Sequence, residues 1–307
     1  MIYTITLNPS IDLQYLIHAF TFNEVLRAHE VRRDLGGKGF NVSHALSRLN
    51  IENVALGFVG GKTGEFLVEK LSELRLENDL IWISGESRTN TTIVQTVSEE
   101  YLKVNEPGPR ISPLEQTDML KRVENRANEG DWFVLSGSLP PGVPMNFYAD
   151  LIRLIQSKGA RAALDTSGAP LKLGIKSSPF LIKPNRIEIQ ELTGLSFDTP
   201  TKYPHTLTVA HQMGAKNICL SLGKEGAIYS DGEKTWKATP PSIVERNPIA
   251  AGDALLAGLV AGLSGGQSCD QALAWGVACG AAAASLEGTA FGSIDEVDAL
   301  LDQVSIT

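Results

Sequence analysis

Short apolar runs alternate with amphipathic stretches along most of the chain, and this alternation restricts the fold more than any other feature. The runs at 53–60, 131–140 and 161–168 have the length and composition of buried strands, whereas 114–128 and 146–159 have helical periodicity. Strands that alternate with helices pair in parallel and are covered on both faces. The sequence therefore predicts an α/β fold with a central, mostly parallel sheet, whose ligands bind at the carboxyl ends of its strands.

Two pairs of segments interrupt this alternation. Residues 11–17 with 24–35, and 89–97 with 101–105, have period-2 polarity and no helix between them. They predict a small β-layer inserted into the core, either a polar lid over a site or an extension of the sheet edge. We therefore expect two discontinuous parts. The α/β core comprises 1–10, 36–87 and 106–307, and the β-sheet lid comprises 11–35 and 88–105.

The composition of the 307 residues limits the class of partner. The net charge of −8 and the pI of about 5.2 argue against nucleic acid, because nucleic-acid binders usually carry a basic stripe. Cys219, Cys269 and Cys279 form no C-x-x-C pair, which indicates reduced thiols and a cytoplasmic protein. The start of the chain lacks the features of a signal peptide, and the uncharged stretch 272–286 is too short to span a bilayer. We expect neither a membrane nor a nucleic-acid partner.

Several familiar catalytic signatures are incomplete. Residues 56–64 differ from a phosphate-binding P-loop at Leu56, where that motif needs glycine. Ser221 and Lys224 have the spacing of a serine hydrolase pair, but the S-D-N element that accompanies it is absent. None of the five histidines forms H-E-x-x-H, so a zinc hydrolase is unsupported.

The stretch RNPIAAGDALLAG (246–258) places Asp253 among small residues directly before an apolar run. If residues 250–253 open a helix, their N–H groups form a pocket that attracts negative charge. Asp253 would then face the ligand of that pocket and could take a proton from an attacking hydroxyl while a phosphoryl group is transferred. The alternative is a plain helix cap or first-turn acid.

A second stretch, DLGGKGFNVSHAL (34–46), puts glycines before an amphipathic helix. Glycine allows a ligand to approach the backbone closely, Lys38 can meet a phosphate, and Asn41 can bridge hydroxyls. The alternative is a glycine-rich turn with Asn41 as the helix cap.

Three further segments end predicted strands with polar residues. Ser138 in SGSLPPG lies where a ligand of the sheet would bind. Asn185 and Glu188 are three residues apart near a helix start, which suits a hydrated Mg²⁺ with phosphates, or simply an N-cap with a first-turn acid. SLGKEGA (221–227) either supports a nucleotide or forms a hairpin turn.

Taken together, these segments resemble the ribokinase-like (PfkB-type) carbohydrate kinases. GGKGFNVS (36–43) and NPIAAGDALLAG (247–258) look like that family's two signatures, and the other three segments fall between them in the family's order. The resemblance covers essentially the whole chain. It implies a three-layer α/β/α domain with a small β-sheet lid, and ATP-dependent phosphorylation of a sugar hydroxyl.

The resemblance also implies roles for individual residues. Asp253 would be the catalytic base, and the backbone of Ala250, Ala251 and Gly252 would complete the anion hole. Glu188 would act on Mg²⁺, through water. The residues implied to contact ATP are Asn185, Ser221, Gly223 and Gly226, and those implied to hold sugar hydroxyls are Asp12, Gly37 and Asn41.

Within the family, TLNPSID (6–12), the lysine of GGKG, Arg88 and VNEPGP (104–109) look like the phosphosugar branch. A phosphorylated acceptor needs cations, and Lys38, Arg88, Lys103 and Arg27 are the candidates. Arg27 is the weaker one, because Leu26 precedes it where this branch often has asparagine. The expected acceptor is fructose 1-phosphate, phosphorylated at O6. The alternatives are tagatose 6-phosphate, fructose 6-phosphate, a free sugar or nucleoside, and a sugar-phosphate-binding protein without catalysis.

One residue departs from the family pattern. Ala250 stands where the family usually has glycine, and its methyl group would cost roughly 1 kcal/mol or more if φ is positive there. Two further expectations concern assembly and cofactors. An exposed sheet edge in the lid favours a homodimer through the lid, and a monovalent cation is a candidate cofactor beside ATP and Mg²⁺.

Overall fold

The computed structural model describes residues 1–98, 100–197 and 199–307, and across these residues lie fourteen strands and ten α-helices. The strands are β1 (Ile2–Thr6), β2 (Ser10–Ile17), β3 (Glu30–Gly36), β4 (Asn53–Val59), β5 (Glu77–Trp82), β6 (Arg88–Gln95), β7 (Tyr101–Asn105), β8 (Trp132–Ser136), β9 (Arg161–Asp165), β10 (Leu181–Ile182), β11 (Asn217–Ser221), β12 (Ala227–Ser230), β13 (Thr235–Thr239) and β14 (Ser305–Ile306). The helices are α1 (Lys38–Arg48), α2 (Gly61–Glu73), α3 (Pro113–Arg126), α4 (Phe147–Ser157), α5 (Gly168–Gly174), α6 (Arg186–Thr193), α7 (Tyr203–Gln212), α8 (Ala251–Ser264), α9 (Cys269–Ala284) and α10 (Ile294–Leu301).

The larger of two sheets is mostly parallel, as the alternation of strands and helices predicts. Its order is β14-β13-β12-β11-β10-β9-β8-β1-β4-β5, and the strands from β11 to β5 in this order pair in parallel. The pairs among β11, β12, β13 and β14 are antiparallel. The short strands β12 to β14 thus extend one edge, and the parallel strands bring their carboxyl ends to one side.

Side chains of the central strands alternate between two helical layers. In β1, Tyr3 and Ile5 pack into a core that includes Met119 of α3 and Leu151 of α4. Thr4, between them, points the other way and contacts Ser43 of α1 at 2.8 Å. Helices α3 to α7 cover the first face, and α1, α2, α8, α9 and α10 cover the second. The expected three-layer α/β/α architecture is confirmed.

The second, four-stranded sheet has the order β3-β2-β6-β7, and we call it the small sheet. Its register gives the two sides different character, because side chains alternate along each strand, although Arg33, Thr89 and Thr91 share the side of Leu13. The polar face carries Ser10, Asp12, Arg88, Asn90, Lys103 and Asn105, and the apolar face carries Leu13, Tyr15, Val31, Ile93, Leu102 and Val104. The four strands lie within or next to the segments predicted as a lid, and that this sheet is a separate lid domain remains a proposal.

Two predicted strands are wrong in extent. Of 24–35 only 30–35 belong to a strand, β3, because residues 21–29 are all exposed and lie beyond the pairing with β2, in a connection where Asn23 has a φ of 63°. The run 180–185 contains only the two-residue strand β10, since Pro184 has no N–H to donate to a ladder. None of the described helices is long and apolar enough to cross a membrane.

Candidate active site

A cavity of about 490 Å³ lies between the carboxyl ends of the central strands and the polar face of the small sheet. The central strands and the loops that follow them contribute Thr6, Asn8, Ser136, Ser138, Thr166, Lys183, Asn185 and Ser221. The starts of two helices contribute Gly37, Lys38 and Asn41 of the α1 region and Ala250, Gly252 and Asp253 of the α8 region. The two stretches, about 210 residues apart in the sequence, therefore meet at one site, although α1 follows the small sheet and α8 follows the antiparallel edge strand β13.

Asp253 lies in the first turn of α8 and is 6% exposed. The Asn41 amide Nδ2 donates a hydrogen bond of 2.8 Å to its Oδ2. Burial raises the pKa of the Asp253 carboxyl to about 6, with Asp165 adding to the rise while Lys38 and the Asn41 bond oppose it. A carboxylate with a pKa near the working pH is suited to accept a proton from a bound hydroxyl.

The backbone that precedes Asp253 is strained at Ala250, whose φ of 66° and ψ of −2° are left-handed. The Ala251 N–H donates to Pro248 and the Asp253 N–H to Ala250, at 3.3 and 3.0 Å. Among the described residues, the N–H groups of Ala250 and Gly252 have no such partner. Ala250 and Gly252 line the cavity, whereas Ala251 does not, so two of the N–H groups predicted to form an anion hole are available there.

Three charged side chains form a cluster beside Asp253: Lys38, Asp165 and Lys183. Lys38 Nζ lies 3.2 and 3.3 Å from the two oxygens of Asp165, and Lys183 Nζ lies 3.3 Å from Oδ1. Burial favours the neutral form of Asp165, but Lys183 and Lys38 hold the pKa of this carboxyl below its usual value. Asp165 in turn raises the pKa of Lys38. Of these three residues, only Lys38 was predicted from the sequence; Asp165 and Lys183 were not.

The predicted sugar-binding residues Asp12, Gly37 and Asn41 all line the cavity. Asp12 Oδ1 accepts hydrogen bonds from Ser10 Oγ at 2.8 Å and Asn90 Nδ2 at 3.0 Å, which fix its carboxylate on the polar face. Gly37, with a φ of 123°, precedes the first residue of α1, so Asn41 is not its cap and is free to reach Asp253. Gly37 has no room for a side chain, since a Cβ there would lie 2.7 Å from Thr6 Cγ2.

Buried polar atoms around the cavity lack partners. Four oxygen atoms on its lining residues are buried without a hydrogen bond to any described residue: Thr6 Oγ1, Asn8 Oδ1, Asn90 Oδ1 and Ser136 Oγ. Buried polar groups are normally paired with protein or water. Their concentration at one cavity indicates a site that receives a polar ligand.

The four candidate cations for an acceptor phosphate have different surroundings. Lys103 extends from β7 into the cavity and is exposed. Arg88 donates to the backbone oxygens of Asn8 at 3.2 and 2.9 Å and of Glu106 at 3.0 Å, which leaves only part of its donors for a ligand. Lys38 is paired with Asp165. Arg27 lies in the exposed connection between β2 and β3 and does not line the cavity.

Only some of the residues predicted to contact ATP or Mg²⁺ line the cavity. Asn185 and Glu188 form a reciprocal N-cap of α6, in which Glu188 Oε2 accepts from the Asn185 N–H at 2.9 Å, and both line the cavity with Ser221. Gly223 and Gly226 do not line it. A Cβ at Gly226 would lie 1.9 Å from the Ala238 oxygen, so this glycine is required by the β11–β12 turn.

The incomplete P-loop at 56–64 does not present a free anion site. The backbone N–H groups of Lys62 and Thr63, at the start of α2, donate to the carboxylate of Glu86 at 3.2 and 2.5 Å. The chain's own acid thus occupies the place that a phosphate would take.

Comparison with known proteins gives one family model, the pfkB family carbohydrate kinases, which matches residues 3–296. A Staphylococcus aureus protein proposed to be a phosphofructokinase is 30% identical over 100% of this chain and 98% of its own, with a TM-score of 0.86. Phosphofructokinase-2 from Escherichia coli, in complex with potassium, is 28% identical over 98% of both chains, with a TM-score of 0.93. A Thermotoga maritima protein proposed to be a 1-phosphofructokinase is 26% identical over 100% of this chain and 99% of its own, with a TM-score of 0.87.

Proposed function

Because the chain belongs to the pfkB family of carbohydrate kinases and is a sugar-phosphate kinase of the phosphofructokinase type, we propose that it phosphorylates a ketohexose phosphate with ATP. The first candidate acceptor is fructose 1-phosphate, phosphorylated at O6 to give fructose 1,6-bisphosphate. The observation that carries the proposal is Asp253, a buried carboxylate at the start of α8 whose pKa is raised to about 6 inside a polar cavity.

Asp253 acts as the base in this proposal. Its carboxylate takes the proton of the acceptor hydroxyl as that oxygen forms a bond to the γ-phosphorus. The bond between the γ-phosphorus and the oxygen that bridges to the β-phosphate breaks, and its electron pair leaves with ADP. The free N–H groups of Ala250 and Gly252 face the charge on the transferred phosphoryl group. Asn41, through its bond to Oδ2, fixes the direction from which Asp253 receives the proton.

The phosphate already present on the acceptor is proposed to lie against Lys103 and the remaining donors of Arg88. Both lie on the polar face of the small sheet, whereas Asp253 lies at the start of α8, so the acceptor is proposed to bind with its phosphate toward the small sheet and its reacting hydroxyl toward α8. This differs from the sequence hypothesis in one respect. Lys38 is held by Asp165 next to the base, which favours a role toward the transferring phosphoryl group over one at the existing phosphate.

ATP and Mg²⁺ are proposed to bind at the start of α6 and the end of β11. Asn185, Glu188 and Ser221 would hold them, although one Glu188 oxygen is already used in the α6 cap. Across the described residues no group of three or more His, Cys, Asp or Glu side chains could hold a metal, so a metal here would rest on one carboxylate, water and phosphates, as Mg²⁺ does. Mg²⁺ would neutralise phosphate charge. Potassium, present in the complex with the Escherichia coli enzyme, is a candidate monovalent cation.

Fructose 6-phosphate is the second candidate acceptor. A structure of the Escherichia coli phosphofructokinase-2, 28% identical, contains this sugar phosphate. Fructose 6-phosphate phosphorylated at O1 gives the same bisphosphate, and tagatose 6-phosphate gives the tagatose analogue.

The test is ATP consumption over a panel of these three phosphosugars, fructose, ribose and a nucleoside, with Mg²⁺ and with or without K⁺. We expect the highest kcat/KM with fructose 1-phosphate and a loss of at least about 10³-fold in Asp253→Asn. Equal turnover of a free sugar would exclude a phosphosugar kinase. Tight phosphosugar binding without ATP consumption would show a binding protein, and near-normal turnover in Asp253→Asn would exclude this base.

Closure of the small sheet over the cavity is proposed to exclude water from the site.

The apolar face of the small sheet is proposed as the surface of a homodimer. Val31, Leu102 and Val104 on this face are 43, 51 and 65% exposed. Introducing a charge with Val104→Glu is expected to give a monomer in sedimentation velocity. Val244→Glu, at a residue 79% exposed outside the small sheet, is the control that should leave the assembly unchanged.

A further inference from the structure

Three charged side chains, Lys38, Asp165 and Lys183, form a cluster beside the proposed base Asp253, and proton transfer to Asp253 alone would not require so much buried charge. The Asp165 side chain is 0% exposed and that of Lys183 is 5% exposed, whereas Lys38 is 41% exposed toward the cavity. Buried charges are expensive unless they are paired, and a carboxylate with two ammonium groups leaves one positive charge in excess. A structural ion pair would need only one lysine.

The sheet itself fixes two members of the cluster. Strands β9 and β10 are adjacent and parallel, and Leu164 pairs with Ile182. Asp165 is the last residue of β9 and Lys183 directly follows β10, so the two residues lie side by side at the carboxyl edge. The backbone N–H of Lys183 donates to the Leu164 oxygen at 3.1 Å, which anchors the lysine's position. Lys38, the first residue of α1, donates to the same carboxylate from the start of that helix.

Both ammonium groups lie close to the reacting centre. A Cβ built on Gly252 would come 3.6 Å from Lys183 Nζ, so this cation sits beside one of the two free N–H groups at the start of α8. Asp253, the next residue, is within the electrostatic range of Lys38, Asp165 and Lys183. Lys38 is in addition within range of Glu188 on the nucleotide side. Both lysines therefore lie near Asp253, and Lys38 also interacts with the residue proposed to act on Mg²⁺.

We propose that Asp165 is a positioning residue that holds Lys38 and Lys183 as a pair of cations on the path of the transferring phosphoryl group. This rests on the proposed kinase function. Asp165 accepts from both lysines and touches neither substrate. It keeps the two ammonium groups in place in the free enzyme, where no phosphate is present to attract them, so that they need no rearrangement when ATP arrives.

The charge balance of the site gives this arrangement a use during the reaction. Two lysines with the ionised Asp165 and Asp253 sum to zero. When Asp253 takes the proton of the acceptor hydroxyl, its charge is lost and the group becomes positive by one unit. That positive charge arises while the phosphoryl group is between the two oxygens, so it favours the transition state over the ground state.

The test compares the acid limb of the kcat/KM profile in four variants, which remove a negative charge, remove a positive charge or keep the charge around Asp253. Removing the negative charge with Asp165→Asn is expected to move the limb to lower pH by about one unit and to lower kcat by about 10²-fold with little change in the phosphosugar KM. Removing a positive charge with Lys38→Met or Lys183→Met is expected to move the limb to higher pH. Lys38→Arg, which keeps the charge, should restore the position of the limb.

A matched control is Asp79→Asn, at a carboxylate that also bridges two cations, Arg122 and Arg126, but far from the cavity. It should lower the melting temperature and leave the pH profile unchanged. If Asp165 is only structural, Asp165→Asn will behave like this control, and the proposal is overturned.

A second measurement does not depend on activity. The carboxyl ¹³C resonance of Asp253, assigned by its loss in Asp253→Asn, gives the pKa of this group in each variant. Opposite shifts in Asp165→Asn and Lys38→Met support the cluster even if the wild-type protein phosphorylates no phosphosugar, which would overturn the proposed function alone. An unchanged pKa of Asp253 in both variants would overturn the cluster alone.

Discussion

Asp253 must ionise to act as a base, yet it does so where burial disfavours a charge. Replacing it with asparagine removes the charge and keeps an oxygen that can accept the Asn41 hydrogen bond. We therefore expect Asp253→Asn to be inactive and more stable than the wild-type protein at neutral and alkaline pH. Such a gain is typical of active-site residues whose chemistry conflicts with folding.

The magnitude follows from the pKa. In the folded protein the pKa of Asp253 is about 6, compared with 3.8 for the unperturbed group, and each unit is worth about 1.4 kcal/mol. The ionised carboxylate therefore destabilises the fold by about 3 kcal/mol above pH 6. For a chain of 307 residues this corresponds to roughly 5 °C in melting temperature.

The sign of the pH dependence is fixed as well. Because the folded pKa is raised, Asp253 favours the fold fully below about pH 3.8, and that contribution is lost as the pH rises through about 6. The assay is calorimetry of the wild-type protein and Asp253→Asn at pH 8, 7, 5 and 4. The variant should melt higher at pH 8, and the difference should shrink toward pH 4. A lower melting temperature at pH 8, or a difference independent of pH, would refute the reasoning.

Three further outcomes are expected. Activity should fall as the pH drops through about 6, because Asp253 becomes protonated, and a kcat/KM profile with fructose 1-phosphate checks this. Lys103→Ala should raise the phosphosugar KM about 10-fold without changing the KM for ATP, whereas Lys62→Ala, at an exposed lysine on α2, should change neither. Ala250→Gly should relieve the strain of the left-handed backbone at this residue and stabilise the fold by about 0.5–1 kcal/mol. Thermal unfolding measures this gain, and kcat is measured alongside as the control.

The α/β architecture could be predicted from the sequence because local patterns determine it, and the two stretches 34–46 and 246–258 could be predicted to share one site. Period-2 and helical runs alternate, which indicates the α/β fold, whereas the resemblance to the PfkB-type kinases is what implied that Asn41 and Asp253 share one site. The left-handed Ala250 could only be posed as a question. Its φ of 66° depends on the approach of the chain to α8, which no local preference of alanine indicates.

Asp165 and Lys183 were missed because their partnership depends on which strands are neighbours. Each lies at the end of an apolar run, but the order of β9 and β10 in the sheet is not written in either run. A lysine directly after a buried strand was the available signal. Arg27 and the glycines at 223 and 226 do not line the cavity, and their assignment to a ligand stays a prediction. Exposed connections and tight turns select the same residue types.

The alternation in the small sheet has a consequence for how this region can change in length. In β2 and β7, polar side chains such as Asp12 face the cavity and apolar side chains such as Leu13 face the other side. A single inserted or deleted residue in either strand would therefore exchange the two faces beyond that point. Polar residues of the cavity would move to the proposed dimer surface, and apolar residues would move to the proposed sugar site. Length variation should therefore be tolerated in the connection at 18–29, and in the strands only in steps of two residues.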